Sequence, residues 1–163
     1  MTRTQTKTAA SPAGWIERAP QISDAERVAE MHNARSQNLY GENQATADDI
    51  RLWWKGSRID LASDLRLVFD SDRVVAGLAV SSHGGPPYTD ISCSAIVHPR
   101  YESRAELWDW LHAWALRRAA EHAHLAEAGI RVAATTRTFP GDAARCAAVD
   151  RAGFRLIRVG NHM

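Results

Sequence analysis

Three consecutive segments with a two-residue hydrophobic period constrain the fold of this chain more than any other feature. Apolar residues alternate over 65–69, and Ser71-Asp72 turns the chain into a second such segment at 74–81. A Gly-Gly-Pro-Pro loop at 84–87 precedes the third segment, residues 88–97. Alternation bounded by turn residues is typical of strands in an antiparallel sheet. The middle of the chain is therefore predicted to be a three-stranded antiparallel sheet.

Helical patterns lie on both sides of these strands. Ser23 and Glu26 have the spacing of a capping box, which predicts a helix over 23–40. Its stripe includes Arg35 between apolar residues. A shorter helix begins at Thr46. The longest helix is predicted over 103–128, with Gly129 as its C-terminal cap. Its apolar stripe consists of Leu107, Trp110, Leu111 and Trp114. A later Ala-rich helix is predicted to end at Ala152.

The complete element order predicts an α+β domain over residues 14–163. Further strands are expected at 14–19, 130–136 and 155–159. The resulting order is β-α-α-β-β-β-α-β-α-β, which favours a mixed, mostly antiparallel sheet flanked by helices. Gly160-Asn161 is typical of a hairpin turn. The final strand is thus expected to be missing from this chain, as in a fragment, or to come from another chain. The Thr/Ala/Ser-rich residues 1–13 are predicted to be a disordered tail.

Composition excludes several classes of function. The net charge of +1 gives no electrostatic attraction to nucleic acid or to an anionic membrane surface. No apolar run approaches the roughly 18–20 residues that span a bilayer, and no secretory signal is apparent, so a cytoplasmic location is predicted. Cys93 and Cys146 lack metal or redox spacing, and His112, His122 and His124 do not converge on a helix, so no metal is expected.

Two short motifs resemble the GNAT superfamily of acyl-CoA-dependent N-acyltransferases. Val-His-Pro-Arg-Tyr at 97–101 is similar to the V-x-P-x-[YH] strand exit of that family, and Asp-Arg-Ala-Gly-Phe at 150–154 is similar to its Y-E-x-x-G-F motif. The motifs have the correct separation and flanking elements, and the resemblance covers about residues 15–163. The chain looks most like the degenerate N-terminal half of tandem-domain members.

The resemblance implies a site for acetyl-CoA at the third strand and the turn that follows it. The cofactor would lie along the backbone of Ile96 and Val97, with its pyrophosphate near Arg104, Ala105, Glu106 and Leu107. In the family, [QR]-x-x-G-x-[GA] follows the strand exit. Here its three signature positions carry Glu102, Ala105 and Leu107. The phosphate loop is therefore expected to be degraded, and only Arg104 offers a positive charge there.

The residues of this turn also argue against phosphate binding on physical grounds. Ser103 and Glu106 have capping-box spacing, so the helix is predicted to satisfy its own free N–H groups. Glu102, Glu106 and Asp109 surround the turn. A carboxylate about 7 Å from a phosphate opposes binding by on the order of 2 kcal/mol at an effective dielectric near 20. The turn is predicted to hold a helix rather than a cofactor.

Catalytic and acceptor residues follow from the same resemblance. The tyrosine that protonates the departing thiolate in the family falls on Val149, which has no proton to give. The nearest candidate general base is Asp90, for which a solvated residue at a strand start is the alternative. The segment between the first two helices forms a wall of the acceptor pocket in the family. Tyr40 and Glu42 are accordingly predicted substrate contacts.

Two functions from different classes remain open. In one, the chain is an N-acetyltransferase domain that transfers acetyl from acetyl-CoA to an amine acceptor. In the other, it is a non-catalytic half-domain that packs against an active acetyltransferase domain, a second copy or another protein. Trp110 and Trp114 are interpreted as core or interface residues. Trp108 lies off their stripe and is predicted to be exposed on a partner surface.

Overall fold

A single five-stranded sheet runs through the computed structural model, which describes residues 14–56, 59–82 and 89–159. The spatial order follows the chain order: β1 (Ile16–Arg18), β2 (Leu65–Asp70), β3 (Arg73–Ser82), β4 (Asp90–Val97) and β5 (Ala133–Thr135). The first four strands pair antiparallel, whereas β5 runs parallel to β4. This confirms the predicted α+β class and its mixed, mostly antiparallel sheet.

Helices cover both faces of the sheet. They are α1 (Ala25–Tyr40), α2 (Ala47–Gly56), the one-turn α3 (Leu61–Asp64), α4 (Ala105–His122) and α5 (Ala143–Arg151). One face packs under α1 and α2 through the buried set Ala25, Val28, Met31, Ile50, Trp54, Leu67, Phe69 and Val74. The other packs under α4 and α5 through Val75, Val80, Ile91, Cys93, Val97, Leu107, Trp108, Leu111, Trp114 and Ala148. The strand periodicity therefore divides its apolar residues between two cores.

Gly77 lies at a close contact between α1 and the sheet. A Cβ atom at this position would lie 3.3 Å from Cδ2 of Leu67 and 3.5 Å from Cε of Met31. The absence of a side chain in the middle of β3 lets Met31 reach the sheet surface. This close contact places the second half of α1 against β4, where the candidate site lies.

The long helix is shorter than its sequence pattern predicts. It ends at His122, and a short 3₁₀ turn follows at Ala123–Leu125, so Gly129 is not its cap. The buried Asp64 accepts hydrogen bonds from Nε of Arg118 at 2.7 Å and lies 2.8 Å from Nε2 of His122. Beyond this anchor most side chains up to Arg131 are exposed. Without an apolar face, the chain has no surface on which to extend the helix.

The predicted Ser23–Glu26 capping box is also absent. Asp24 is the N-cap residue of α1, and its carboxylate accepts a 2.7 Å bond from the N–H of Gln21 and two bonds from Arg18. Glu26 instead pairs with Arg51 of α2. Long-range arginine partners have replaced the local bonds that the spacing predicted.

Residues 155–159 do not form the predicted last strand. They lack regular structure, and three large apolar side chains are almost fully exposed: Leu156 (83%), Ile157 (80%) and Val159 (79%). An alternating segment becomes a strand only when a neighbouring strand accepts its backbone hydrogen bonds. The predicted tail at 1–13 and the predicted hairpin at 160–161 lie outside the described residues.

Trp108 is buried rather than exposed as predicted. Only 1% of its surface is accessible, its indole N–H donates to the carbonyl of Glu102 at 3.0 Å, and its ring stacks on His112. The helix has two buried stripes because α5 and Phe154 cover the one that carries Trp108 and His112. The exposed indole is instead that of Trp53, at 44%.

Candidate functional site

A gap opens where the two parallel strands stop pairing. Hydrogen-bonded pairing of β4 with β5 ends at Ser92, opposite Thr135, although β4 continues to Val97. A cavity of about 180 Å³ lies beside this unpaired part of β4, between the second half of α1 and the segment that leads into α5. It is lined by His32, Arg35, Ser36, Leu39, Tyr40, Gln44, Ile96, Phe139 and Arg145.

A buried ionic cluster, here called the Arg35 cluster, forms one wall of the gap. Nη1 of Arg35 donates to the carbonyl of Val97 at 3.1 Å and to Oε1 of Glu102 at 2.8 Å. Nη2 pairs with Oδ2 of Asp142, the N-cap residue of α5. The Arg35 and Asp142 side chains are 6% and 3% exposed. One guanidinium thus joins α1, the end of β4, the following turn and the start of α5.

The turn after β4 differs from its prediction. His98 and the 3₁₀ turn at Pro99–Tyr101 lead to Arg104, the N-cap residue of α4, which makes no side-chain capping bond. The Ser103–Glu106 capping box is therefore wrong. Glu102 turns inward to Arg35, and its carbonyl is held by Trp108, so tertiary bonds set the path of the backbone. Ala105 and Glu106, in the first turn of α4, are exposed.

Each acid around this turn has an arginine partner. Glu102 pairs with Arg35, Glu106 lies 3.8 Å from Arg104, and Asp109 lies 3.0 Å from Arg151 of α5. Burial raises the pKa of Glu102, while the charge of Arg35 acts in the opposite direction. The electrostatic repulsion predicted for a phosphate is reduced because these carboxylates are compensated locally.

Arg145 has a different environment from Arg35. Its side chain lines the cavity, and its Nε is buried without a hydrogen-bond partner among the described residues. Burial lowers the pKa of Arg145, and the charge of Arg35 lowers it further. Two guanidiniums therefore line the cavity, whereas the carboxylates of the Arg35 cluster do not.

His32 contributes a neutral imidazole to the same cavity. Burial lowers the pKa of His32, and the neighbouring Arg35 adds to the effect. A neutral imidazole has a free nitrogen lone pair, so His32 can accept a proton near neutral pH. Tyr40 and Phe139 close the other side of the cavity with an edge-to-face contact at 6.3 Å between ring centroids.

The predicted acceptor and base residues are distributed over both ends of the site. Tyr40 and Ile96 line the cavity, and Glu42 is exposed beyond the C-terminal end of α1. Asp90 is the first residue of β4 and is also exposed. Six residues at about 3.3 Å each separate it from Ile96, which places it on the order of 20 Å along the strand. Of the three predicted acceptor and base residues, Tyr40 lines the cavity, and Ile96 is there as a predicted cofactor residue.

The predicted cofactor residues are divided between the surface and the core. The Val97 side chain is fully buried, and its carbonyl is already bound by Arg35. Arg104 is exposed, whereas Leu107 is buried in the core and its N–H donates to the carbonyl of Arg104 at 3.1 Å. Val149 packs into the core from α5.

Sequence reasoning missed His32, Arg35, Phe139, Asp142 and Arg145. Only one of them carried a signal: Arg35 stands on the otherwise apolar stripe of α1, where a charge must find buried partners. The other four come from two segments far apart in sequence, His32 from α1 and Phe139, Asp142 and Arg145 from the segment at the start of α5. The gap between β4 and β5 brings them together.

The buried histidines predict a pH-dependent stability. Burial lowers the pKa of both His32 and His112, so between that lowered pKa and about 6.5 the unfolded chain binds more protons than the folded chain. We expect the Tm to fall by several degrees from pH 7.5 to 5.5. Thermal melts of a His32→Gln, His112→Gln double variant should show a flatter profile, and exposed His124→Gln should not. An unchanged wild-type Tm over this range would contradict the expectation.

Neither a metal-binding group nor a membrane-spanning helix is found among the described residues. They contain no group of three or more His, Cys, Asp or Glu side chains that could hold a metal ion. Among the helices described here, none has the length and apolar character that a membrane crossing requires. Both cysteines are free, and burial raises the pKa of Cys93 to about 11, which keeps it a protonated thiol.

Several solved structures share this fold. The GCN5-related N-acetyltransferase from Sphaerobacter thermophilus matches 90% of this chain at 25% identity with a TM-score of 0.79, and this chain spans 45% of its length. A Salmonella typhimurium protein assigned as an acetyltransferase, solved with its cofactor acetyl-CoA, matches 89% of this chain and 82% of its own at 13% identity and a TM-score of 0.63. An acetyltransferase of the GNAT family from Streptococcus pneumoniae matches 88% and 86%, at 12% identity and 0.63.

These similarities establish the fold. The chain matches no protein-family model and no curated protein sequence. Its fold is that of the GNAT superfamily, as the two sequence motifs indicated.

Proposed function

We propose that this chain is a GNAT-type domain that transfers an acetyl group from acetyl-CoA to an amine. The observation that carries the proposal is the gap between the parallel strands β4 and β5, with a cavity beside Ile96 and an uncapped helix start at its mouth. Free N–H groups at a helix N-terminus attract anions. The local pairing of Glu102, Glu106 and Asp109 removes much of the expected opposition to a phosphate.

The residues at the start of α4 fit the phosphate part of acetyl-CoA. The backbone of Ala105 and Glu106 and the side chain of Arg104 would hold a phosphate, and acetyl-CoA would supply the activated acetyl group. The cavity of about 180 Å³ is smaller than the roughly 300–1,000 Å³ of usual ligand pockets. Arg35 must also release the Val97 carbonyl before another group can bond there. Binding is therefore expected to displace part of the Arg35 cluster.

His32 is the proposed proton acceptor in place of Asp90. An ammonium group must lose a proton before its nitrogen can attack an acyl carbon, and a neutral imidazole inside the cavity can take that proton. Val149 cannot return a proton to a leaving thiolate. In this proposal the departing group takes its proton from solvent, which predicts slow turnover.

Titration of acetyl-CoA into the purified chain tests the proposal. We expect calorimetric binding in the micromolar range. Arg104→Glu should weaken it about tenfold, because reversing an exposed charge at the phosphate position removes attraction and adds repulsion worth about 1.4 kcal/mol. Exposed Arg131→Glu serves as the matched control and should bind as the wild type does. No heat at millimolar acetyl-CoA would refute cofactor binding.

The second candidate is a non-catalytic half-domain that packs against an active acetyltransferase domain. It is favoured by the hydrogen bond from Arg35 that occupies the Val97 carbonyl. The exposed apolar residues Leu156, Ile157 and Val159 also favour it. The matching Sphaerobacter protein is about twice as long as this chain, which leaves room for a second domain there. This function would be supported if the chain did not bind acetyl-CoA but associated with such a domain in analytical ultracentrifugation.

A further inference from the structure

Arg145 is a partly buried cation whose guanidinium makes no salt bridge to a carboxylate of the described residues. It belongs to the first turn of α5, its Nε is shielded from solvent, and no ion pair or side-chain hydrogen bond reaches its guanidinium from the described residues. Other arginines that bridge elements here, such as Arg18, Arg51 and Arg118, contact carboxylates. Asp142, the closest acid in sequence, accepts the backbone N–H of Arg145 and its charge raises the pKa of Arg145, but its carboxylate pairs with Arg35 and not with the Arg145 guanidinium.

This arrangement is unfavourable for the chain alone. Burying an unpaired charge costs free energy, and a second guanidinium, that of Arg35, lines the same cavity. The charge of Arg35 contributes to the lowered pKa of Arg145. An unsatisfied group that persists in a cavity is explained when a ligand supplies the missing partner.

We propose that the cavity binds the carboxylate of a small amine acceptor, with Arg145 as its anchor. The proposal rests on the function proposed above and names its acceptor class: amino acids or similar compounds that carry a carboxylate beside the amine. A guanidinium binds a carboxylate through two parallel hydrogen bonds.

The size and walls of the cavity favour a small ligand with an apolar part. Its volume of about 180 Å³ lies below the roughly 300–1,000 Å³ of usual ligand pockets. Leu39, Ile96 and the Tyr40–Phe139 pair provide apolar contacts, and the neutral His32 provides a hydrogen-bonding nitrogen. A phosphate shares the anionic chemistry but has no group to fill these apolar walls. A carboxylate with a short aliphatic side chain fits both parts.

Matched ligand pairs test the proposal without acetyl-CoA. L-valine and isobutylamine, and L-leucine and isoamylamine, differ by the carboxylate alone. We expect saturation-transfer NMR and calorimetry to show about tenfold or greater preference for each amino acid. Arg145→Gln should abolish the preference, whereas exposed Arg131→Gln should retain it. Because an unpaired buried charge is removed, the Tm of Arg145→Gln should not fall below that of the wild type.

Each opposite result overturns the proposal. Equal binding of the members of a pair would show that the carboxylate is not recognised. A lower Tm for Arg145→Gln would assign this residue to the fold instead. Binding of inorganic phosphate or CoA at Arg145, with no binding of valine or leucine, would assign the cavity to phosphate. Amino acid binding without acetyl-CoA binding would uphold this inference and refute the proposed acetyl transfer, so the two failures are distinguishable.

Discussion

Replacing Arg35 with alanine is expected to lower the free energy of unfolding by about 3–5 kcal/mol, one of the two largest effects that we predict. The substitution removes the partner of Asp142, which is almost fully buried, and of Glu102, which is mostly buried. It also leaves the carbonyl of Val97 without its donor. Breaking a buried ion pair costs this much because the remaining charge keeps its desolvation penalty.

Urea denaturation followed by circular dichroism measures this effect. Arg27→Ala on the same helix is the matched control, since Arg27 is half-exposed and lies 3.5 Å from Asp24. It should cost no more than about 1 kcal/mol. Adding Glu102→Gln to an Arg35→Met background should recover part of the loss, because one stranded carboxylate is then removed. If Arg35→Ala and Arg27→Ala had equal effects, the Arg35 cluster would not stabilise the fold.

Truncation of Trp108 to alanine is expected to cost a similar amount, about 3–5 kcal/mol, typical of a large aromatic side chain removed from a core. The indole packs between the sheet and α5 and stacks on His112 at 5.9 Å between ring centroids. Its N–H also holds the carbonyl of Glu102, so the variant loses both packing and the bond that positions the turn. We therefore expect both lower stability and weaker order at residues 102–104.

Trp53→Ala provides the comparison for this variant. Trp53 is 44% exposed on α2, and its removal should change the unfolding free energy by less than about 1 kcal/mol. A Trp108→Phe variant should lose less than the alanine variant because most of the apolar volume remains. Guanidinium denaturation of the three variants separates packing from hydrogen bonding. Equal stability of the Trp108→Ala and Trp53→Ala variants would contradict the buried position of Trp108.

Regular periodicity explains which parts of the fold could be predicted. The periodicity of β2, β3 and β4 predicted adjacent antiparallel strands, and the structure pairs each of them with its neighbours, although helices bury both faces of the sheet. The apolar pattern at 155–159 has the same form but lacks a neighbour in the described chain, so it remains unpaired and exposed. A sequence pattern shows that a segment can form a strand, whereas the neighbouring strand decides whether it does.

Local capping rules failed where distant charges competed with them. The spacings at Ser23 and Ser103 each predicted a capping box, but Arg18 binds Asp24 and Arg35 binds Glu102. A buried guanidinium bond contributes more than a neutral capping bond, so it determines the backbone path. Trp108 was misplaced for a related reason, because one apolar stripe cannot reveal that α5 covers a second face of α4.

The site was only partly predictable because its residues come from distant segments. The motif at 97–101 located the turn and Ile96, and the link between the first two helices located Tyr40. Arg145 and His32 belong to helices whose periodicity says nothing about a cavity. They became candidates only when α1 and the segment before α5 were placed on either side of the unpaired end of β4.

The chain order of the sheet also separates strand pairs that are close in sequence from a parallel pair that is not. Strands β1 to β4 each pair with their sequence neighbour among the strands, and the β2–β3 and β3–β4 ladders close over short connections. The parallel pairing of β4 with β5 requires the chain to pass through the whole of α4 first, and such non-local closure is slow. This parallel pairing comprises three residue pairs. We therefore expect β5, with the neighbouring wall of the cavity that carries Phe139 and Arg145, to open before the ladder of β3 and β4 in local unfolding.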